Sequence, residues 1–122
     1  MTITSVFPIL RTSDLPRLCR FYETAFDAAV TYRFAHEGRD VYVALTLGGA
    51  PLGIGWEPEV ARGEAIAVWL YCDDVDRVSA VAVDSGAELV DPPEDQPWGE
   101  RVAQVRDPDG NLLYLATAAD DR

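Results

Sequence analysis

Two short segments of this chain carry the same instruction 60 residues apart: Asp14-Leu15-Pro16-Arg17-Leu18 returns as Asp74-Val75-Asp76-Arg77-Val78. Each follows a β-rich apolar run and opens with an aspartate suited to cap a helix N-terminus. In the first, Leu15, Leu18, Cys19, Tyr22 and Phe26 recur at helical spacing, and Pro16 fits the first turn, where its missing N–H costs nothing. In the second, Val75, Val78 and Ala82 form the inward stripe with Val81 alongside, and Ser85-Gly86 supplies the positive φ of a helix end. A chain that repeats strand, aspartate and helix at a fixed offset has few ways to bury both helices. The economical one is a β-α-β-β-β unit used twice.

The remaining segments supply the strands of those units. Ile3 to Arg11 reads as the first, with Val30 to Ala35 and Val41 to Leu47 joined by the polar turn His36 to Asp40. Gly48-Gly49 makes the next turn, before a short strand Pro51 to Trp56. Glu57 to Gly63 has no periodicity and reads as a linker. Ala65 to Cys72 opens the second unit, Ala87 to Val90 is a short strand, and Asp91 to Pro97 is an acidic, proline-rich loop. Val102 to Arg106 and Leu112 to Ala116 flank Asp107-Pro108-Asp109-Gly110, where Pro108 pre-sets φ and Gly110 accepts a positive one, so they form a hairpin. The expected fold is α+β: two tandem modules, about 1–57 and 64–118, joined by a linker at 58–63 and forming a curled mixed sheet around a cleft.

Charge narrows the function classes. The chain has 21 acidic residues, 10 basic ones and a net charge of −11. Residues 62–122 hold 14 of the acids and 5 of the arginines, a net −9, against −2 for residues 1–61. Such a surface repels a phosphate backbone and draws in cations, which excludes nucleic acid and favours a cationic small molecule. Every basic residue is arginine, so Schiff-base chemistry on lysine is excluded. No apolar run approaches the roughly 18 residues of a membrane span and no leader pattern opens the chain, so a cytoplasmic protein without membrane partners is expected. Cys19 and Cys72 fall on a helix stripe and a strand end, which makes them small core residues.

The repeat, the Asp14-Leu15 to Phe21-Tyr22 helix and the run from Trp98-Gly99 to Asp107-Pro108-Asp109-Gly110-Asn111 resemble the vicinal oxygen chelate superfamily. That group contains glyoxalase I, extradiol dioxygenases, fosfomycin-resistance enzymes and bleomycin-resistance proteins. Gln96-Pro97-Trp98-Gly99 and Ser5-Val6-Phe7-Pro8-Ile9-Leu10 look most like the metal-free bleomycin-resistance branch. The resemblance implies metal ligands on the first strand of each module and on the last strand. Those positions here are Phe7, Ala67 and Tyr114, none of which suits a divalent ion, so no metal and no cofactor are expected. His36 is the lone histidine and sits in a turn.

If Phe7 stands at a former ligand position, alternation turns Phe7, Ile9 and Arg11 toward the cleft, with Trp69 and Tyr71 on the second module and Tyr114 on the last strand. Phe34, Tyr42, Trp56 and Trp98 are the neighbouring aromatics, and Glu94, Asp95 and Glu100 bracket Trp98. The side-chain parity of Arg101 to Arg106 stays open. The ligand-binding residues expected are therefore Phe7, Phe34, Tyr42, Trp56, Trp69, Trp98 and Tyr114. Ring faces and carboxylates together suit a flat or cationic antibiotic-type ligand. Nothing has the order of a Ser–His–Asp triad, no catalytic residue is assigned, and binding without turnover is the simpler reading. The resemblance implies resistance by sequestration in a homodimer. The alternative is a metal-independent enzyme of the same fold acting on a small organic metabolite.

Overall fold

In the computed structural model, which describes residues 2–63 and 65–119, both helices start where the aspartates set them. Helix α1 runs Leu15–Phe26, and the Asp14 carboxylate accepts from the Arg17 N–H at 3.3 Å. Helix α2 runs Val75–Asp84, and Asp74 accepts from the Arg77 N–H at 3.2 Å. The eight strands are β1 (Ile9–Thr12), β2 (Ala29–His36), β3 (Arg39–Leu47), β4 (Ala50–Trp56), β5 (Val68–Tyr71), β6 (Glu88–Asp95), β7 (Arg101–Arg106) and β8 (Leu112–Thr117). They form two four-stranded mixed sheets of equivalent order, β1-β4-β3-β2 and β5-β8-β7-β6. The fold is α+β, and the chain divides into two compact units, Met1–Ala61 and Arg62–Arg122.

In the first unit, Leu15, Leu18, Cys19 and Tyr22 of α1 are buried together with Val43 and Leu45 of β3 and Leu52 and Ile54 of β4. Phe21 and Ala25 join the buried side, whereas Phe26 stays partly open and meets Phe21 edge-on. In the second unit, Val75 and Ala82 lie under the sheet with Ala103, Val105, Leu113 and Leu115. Each fully buried aliphatic side chain stabilises its unit by roughly 1.5–3 kcal/mol, so helix and sheet of each unit hold one another.

Turn chemistry explains the tight connections. Glu37 and Gly38 take φ of 52° and 82°, Gly48 and Gly49 take 55° and 85°, and each pair closes a two-residue hairpin. The β7–β8 hairpin uses a buried carboxylate instead. Asp107 accepts from the N–H groups of Asp109 and Asn111, both at 2.9 Å, and from the Asn111 amide at 2.8 Å.

Three strands differ from the sequence reading. The first is four residues long rather than spanning Ile3 to Arg11. Its parallel register pairs Ile9 with Gly53, so continuing it backward would oppose Phe7 to Pro51, and neither Pro8 nor Pro51 has an N–H to donate. The Pro8 carbonyl still accepts from the Gly53 N–H at 2.9 Å. Strand β5 begins at Val68, which leaves Ala67 outside it and exposed. Strand β6 extends to Asp95, through Pro92 and Pro93, where a loop was expected. It lies at the sheet edge with register shifts between Leu89 and Asp91 and between Asp91 and Glu94, where absent N–H groups cost no ladder bond.

Candidate ligand-binding faces

Each sheet has one face against its helix and one open face, and cross-strand register tells which side chains share the open one. In the second unit Trp69 pairs with Tyr114, which pairs with Gln104. Trp69 and Tyr114 stack with centroids 5.3 Å apart and planes at 15°. Tyr71 meets Trp69 edge-on at 5.9 Å. Trp98, in the turn between β6 and β7, donates its indole N–H to Glu100 Oε1 at 2.7 Å. The same carboxylate lies beside the Tyr71 hydroxyl and holds its pKa above the ordinary tyrosine value. Glu100 thus gathers two aromatic side chains beside the Trp69–Tyr114 stack. Trp69, Tyr71 and Trp98 are 42%, 63% and 59% exposed, so their rings present area that no core partner has taken.

Register also fixes the parity of β7. Val102 and Gln104 belong to the open face, and Arg101, paired with Thr117, belongs to the helix side. There its guanidinium holds both oxygens of Asp76, at 2.8 and 3.0 Å, and reaches Asp95 at 3.2 Å. Arg101 depresses the Asp76 pKa through that bond, so the residue clamps the first turn of α2 to β7 rather than facing a ligand.

The open face of the first unit carries Ile9 and Arg11 on β1, Gly53 and Gly55 on β4, Tyr42 on β3, and Tyr32 and Phe34 on β2. Tyr42 lies flat over β4: a Cβ added to Gly53 would stand 2.6 Å from its hydroxyl and 3.0 Å from the Ile9 side chain. Tyr32 and Tyr42 are 6.4 Å apart, and Phe34 is exposed. Trp56 does not join them. Its register partner is the fully buried Thr12, and its ring carries the Arg39 guanidinium at 4.0 Å. Phe7 precedes β1 and is exposed.

Of the seven aromatics read from the sequence, the structure brings Trp69 and Tyr114 into contact, with Trp98 joined to Tyr71 through Glu100. Phe34 and Tyr42 are register partners on the other sheet, while Trp56 and Phe7 stand apart from them. The role of Tyr71 follows from the period-2 alternation that places Trp69. Neither cysteine offers a nucleophile: burial pushes the Cys19 thiol up to about 11 and also raises Cys72, so both stay protonated at neutral pH.

The sequence matches the Glyoxalase/Bleomycin resistance protein/Dioxygenase superfamily over residues 3–115. The chain belongs to this superfamily. An uncharacterized protein of Mycobacterium bovis is 30% identical over 88% of this chain and 79% of its own length. Among solved structures, a glyoxalase/bleomycin resistance protein/dioxygenase family enzyme from Burkholderia phytofirmans superposes with a TM-score of 0.80 at 18% identity, covering 91% of this chain and 95% of its own. TioX from Micromonospora gives 0.77 at 24%, covering 93% and 98%. The fosfomycin resistance protein FosX from Mesorhizobium loti gives 0.74 at 22%, covering 97% and 94%. At these identities the structural likeness establishes the fold.

The superfamily's metal positions can be weighed on the donors present. Phe7 and Ala67 have no ligand atom, and the Tyr114 ring is stacked on Trp69. Among the described residues, no three of His, Cys, Asp and Glu come together in a group able to hold a metal ion. These residues do not fit the metal centre, and no chemical step is drawn through one. No helix is long and apolar enough to cross a membrane.

Proposed function

We propose that this protein binds a small organic ligand, aromatic or cationic, on the open face of its second sheet, and holds it without a metal and without turnover. Sequestration of an antibiotic-type molecule is the corresponding biological role. The observation that carries the reading is the Trp69–Tyr114 stack with Tyr71 at its edge and Glu100 beside it. A ring laid on such a platform gains stacking energy, and the carboxylate attracts positive charge. Membership of a superfamily that includes bleomycin resistance proteins supports the ligand class, as does the net charge of −11.

Titration with bleomycin-type and other polyaromatic cationic drugs, read by tryptophan fluorescence, tests it. Saturable quenching at micromolar drug is the expected result, with the drug recovered unchanged by chromatography. Trp69→Ala should weaken binding by roughly tenfold, the scale of one lost stacking contact. Absence of quenching by every drug, or recovery of a converted product, would refute the proposal.

A further inference from the structure

We infer that the open face of the second sheet selects a weakly hydrated organic cation of the quaternary ammonium class, with Glu100 as its counter-charge. This rests on the binding reading above and narrows it from aromatic or cationic ligands to one class.

The geometry assembles what such a cation needs. The Trp98 indole N–H donates to the Glu100 carboxylate at 2.7 Å, Tyr71 meets Trp69 edge-on at 5.9 Å, and the Tyr71 hydroxyl lies beside the same carboxylate. With the Trp98 indole N–H turned to the carboxylate, the faces of these partly exposed rings offer the negative side of their quadrupoles. A quaternary ammonium spreads its charge over methyl groups and is poorly hydrated, so it loses little on leaving water. A primary ammonium or metal ion is more strongly hydrated and loses more on leaving water.

Among the described residues, the arginines of the unit have contacts elsewhere. Arg101 is committed to Asp76 and Asp95 on the helix side. Arg77 pairs with Asp73 at 2.8 Å, Arg106 donates to the Gly110 carbonyl at 3.0 Å, and Arg62 stands over Gly110. The first unit shows the same chemistry satisfied internally, where Arg39 covers the Trp56 ring. Register adds negative charge along the second face: Asp91 is opposite Gln104 and Glu94 opposite Val102. At the equivalent places, opposite Ala44 and Tyr42, the first unit has Tyr32 and Phe34.

The test sets choline against 3,3-dimethylbutan-1-ol, which keeps the shape and hydroxyl and replaces the ammonium nitrogen by carbon. Each is titrated into the intact protein at low salt, to millimolar concentration, and followed by the NMR shifts of the tryptophan indole N–H groups. Choline should bind roughly tenfold more tightly than the alcohol, and Glu100→Gln should remove most of that preference. The glutamine carbonyl can still accept from Trp98, so the variant alters charge more than shape. Equal binding of the two compounds, or a preference that survives Glu100→Gln, overturns the inference. If polyaromatic drugs still quench while choline and the alcohol bind alike, cation selection falls and ligand binding stands. If neither drug nor choline binds, both readings fall.

Discussion

Gly53 occupies the middle of the first unit's open face, between Ile9 and Ala44; at the equivalent place in the second unit, between Trp69 and Gln104, stands Tyr114. One row further along, the first unit reads Arg11, Gly55, Tyr42, Phe34 and the second reads Tyr71, Ala116, Val102, Glu94. In the first unit an aromatic ring from β3 falls across glycines and covers them. In the second, the ring comes from β8, stacks on β5, and leaves its neighbours open beside a carboxylate. The helix-side faces of both sheets are mostly apolar because they hold the cores. The open faces bear no such constraint, and there the two copies of one architecture have diverged to opposite chemistry.

Stability measurements can break this comparison, beginning with the returning hairpins. The second unit closes its β7–β8 hairpin on buried Asp107, which accepts three hydrogen bonds; the first closes β3–β4 on Gly48-Gly49. Asp107→Ala leaves three donors without their partner and should cost about 2–4 kcal/mol in urea unfolding. Gly49→Ala places a side chain at positive φ and should cost about 1–2 kcal/mol. Equal costs would show that the carboxylate adds nothing beyond turn geometry.

A smaller effect is expected at the glycine shelf. Gly53→Ala forces the Tyr42 ring off β4 and should cost about 1–2 kcal/mol, part of it relieved when Tyr42→Ala is added in the same chain. Strict additivity of the two changes would mean that Tyr42 does not lie on the shelf in solution.

The smallest effect is electrostatic and belongs to the second face alone. The Tyr71 pKa is raised above the ordinary tyrosine value, first by the adjacent Glu100 carboxylate and then by desolvation. The stability this interaction contributes is therefore complete below the unfolded value and is lost as pH rises through the higher folded value. In an ultraviolet titration of the phenols, Tyr71 should ionise later than free tyrosine, and Glu100→Gln should bring it earlier. A titration curve unchanged by Glu100→Gln would remove the contact from solution.

How much of this was readable in advance depended on whether the signal was local. The caps at Asp14 and Asp74 and the glycine turns at Gly48-Gly49 and Gly86 were legible, because each depends on residues within a few positions. The pairing of Trp69 with Tyr71 on one face follows from strand alternation. Strand ends were less legible: β1 begins no earlier than Ile9 because Pro51, some 40 residues away, cannot donate to it. Strand β6 passes through Pro92 and Pro93 only because it lies at an edge. The surroundings of Trp56 were not legible either: register sets it opposite Thr12, and Arg39 lies over its ring.

The sequence by itself determined the repeat, the helices, the turn chemistry and the acidic bias of residues 62–122, all consequences of residue type and near-neighbour spacing. It also determined that the Phe7 and Ala67 side chains carry no donor atom for a metal, since donor chemistry needs no coordinates. Tertiary structure decided where separate strands meet: that Trp69 stacks on Tyr114 from β8, that Tyr71 and Trp98 share Glu100, and that Arg101 turns toward α2. Those contacts join residues up to 45 positions apart, Trp69 and Tyr114 being the widest pair. Cross-strand register creates them, and no local pattern in the chain encodes that register.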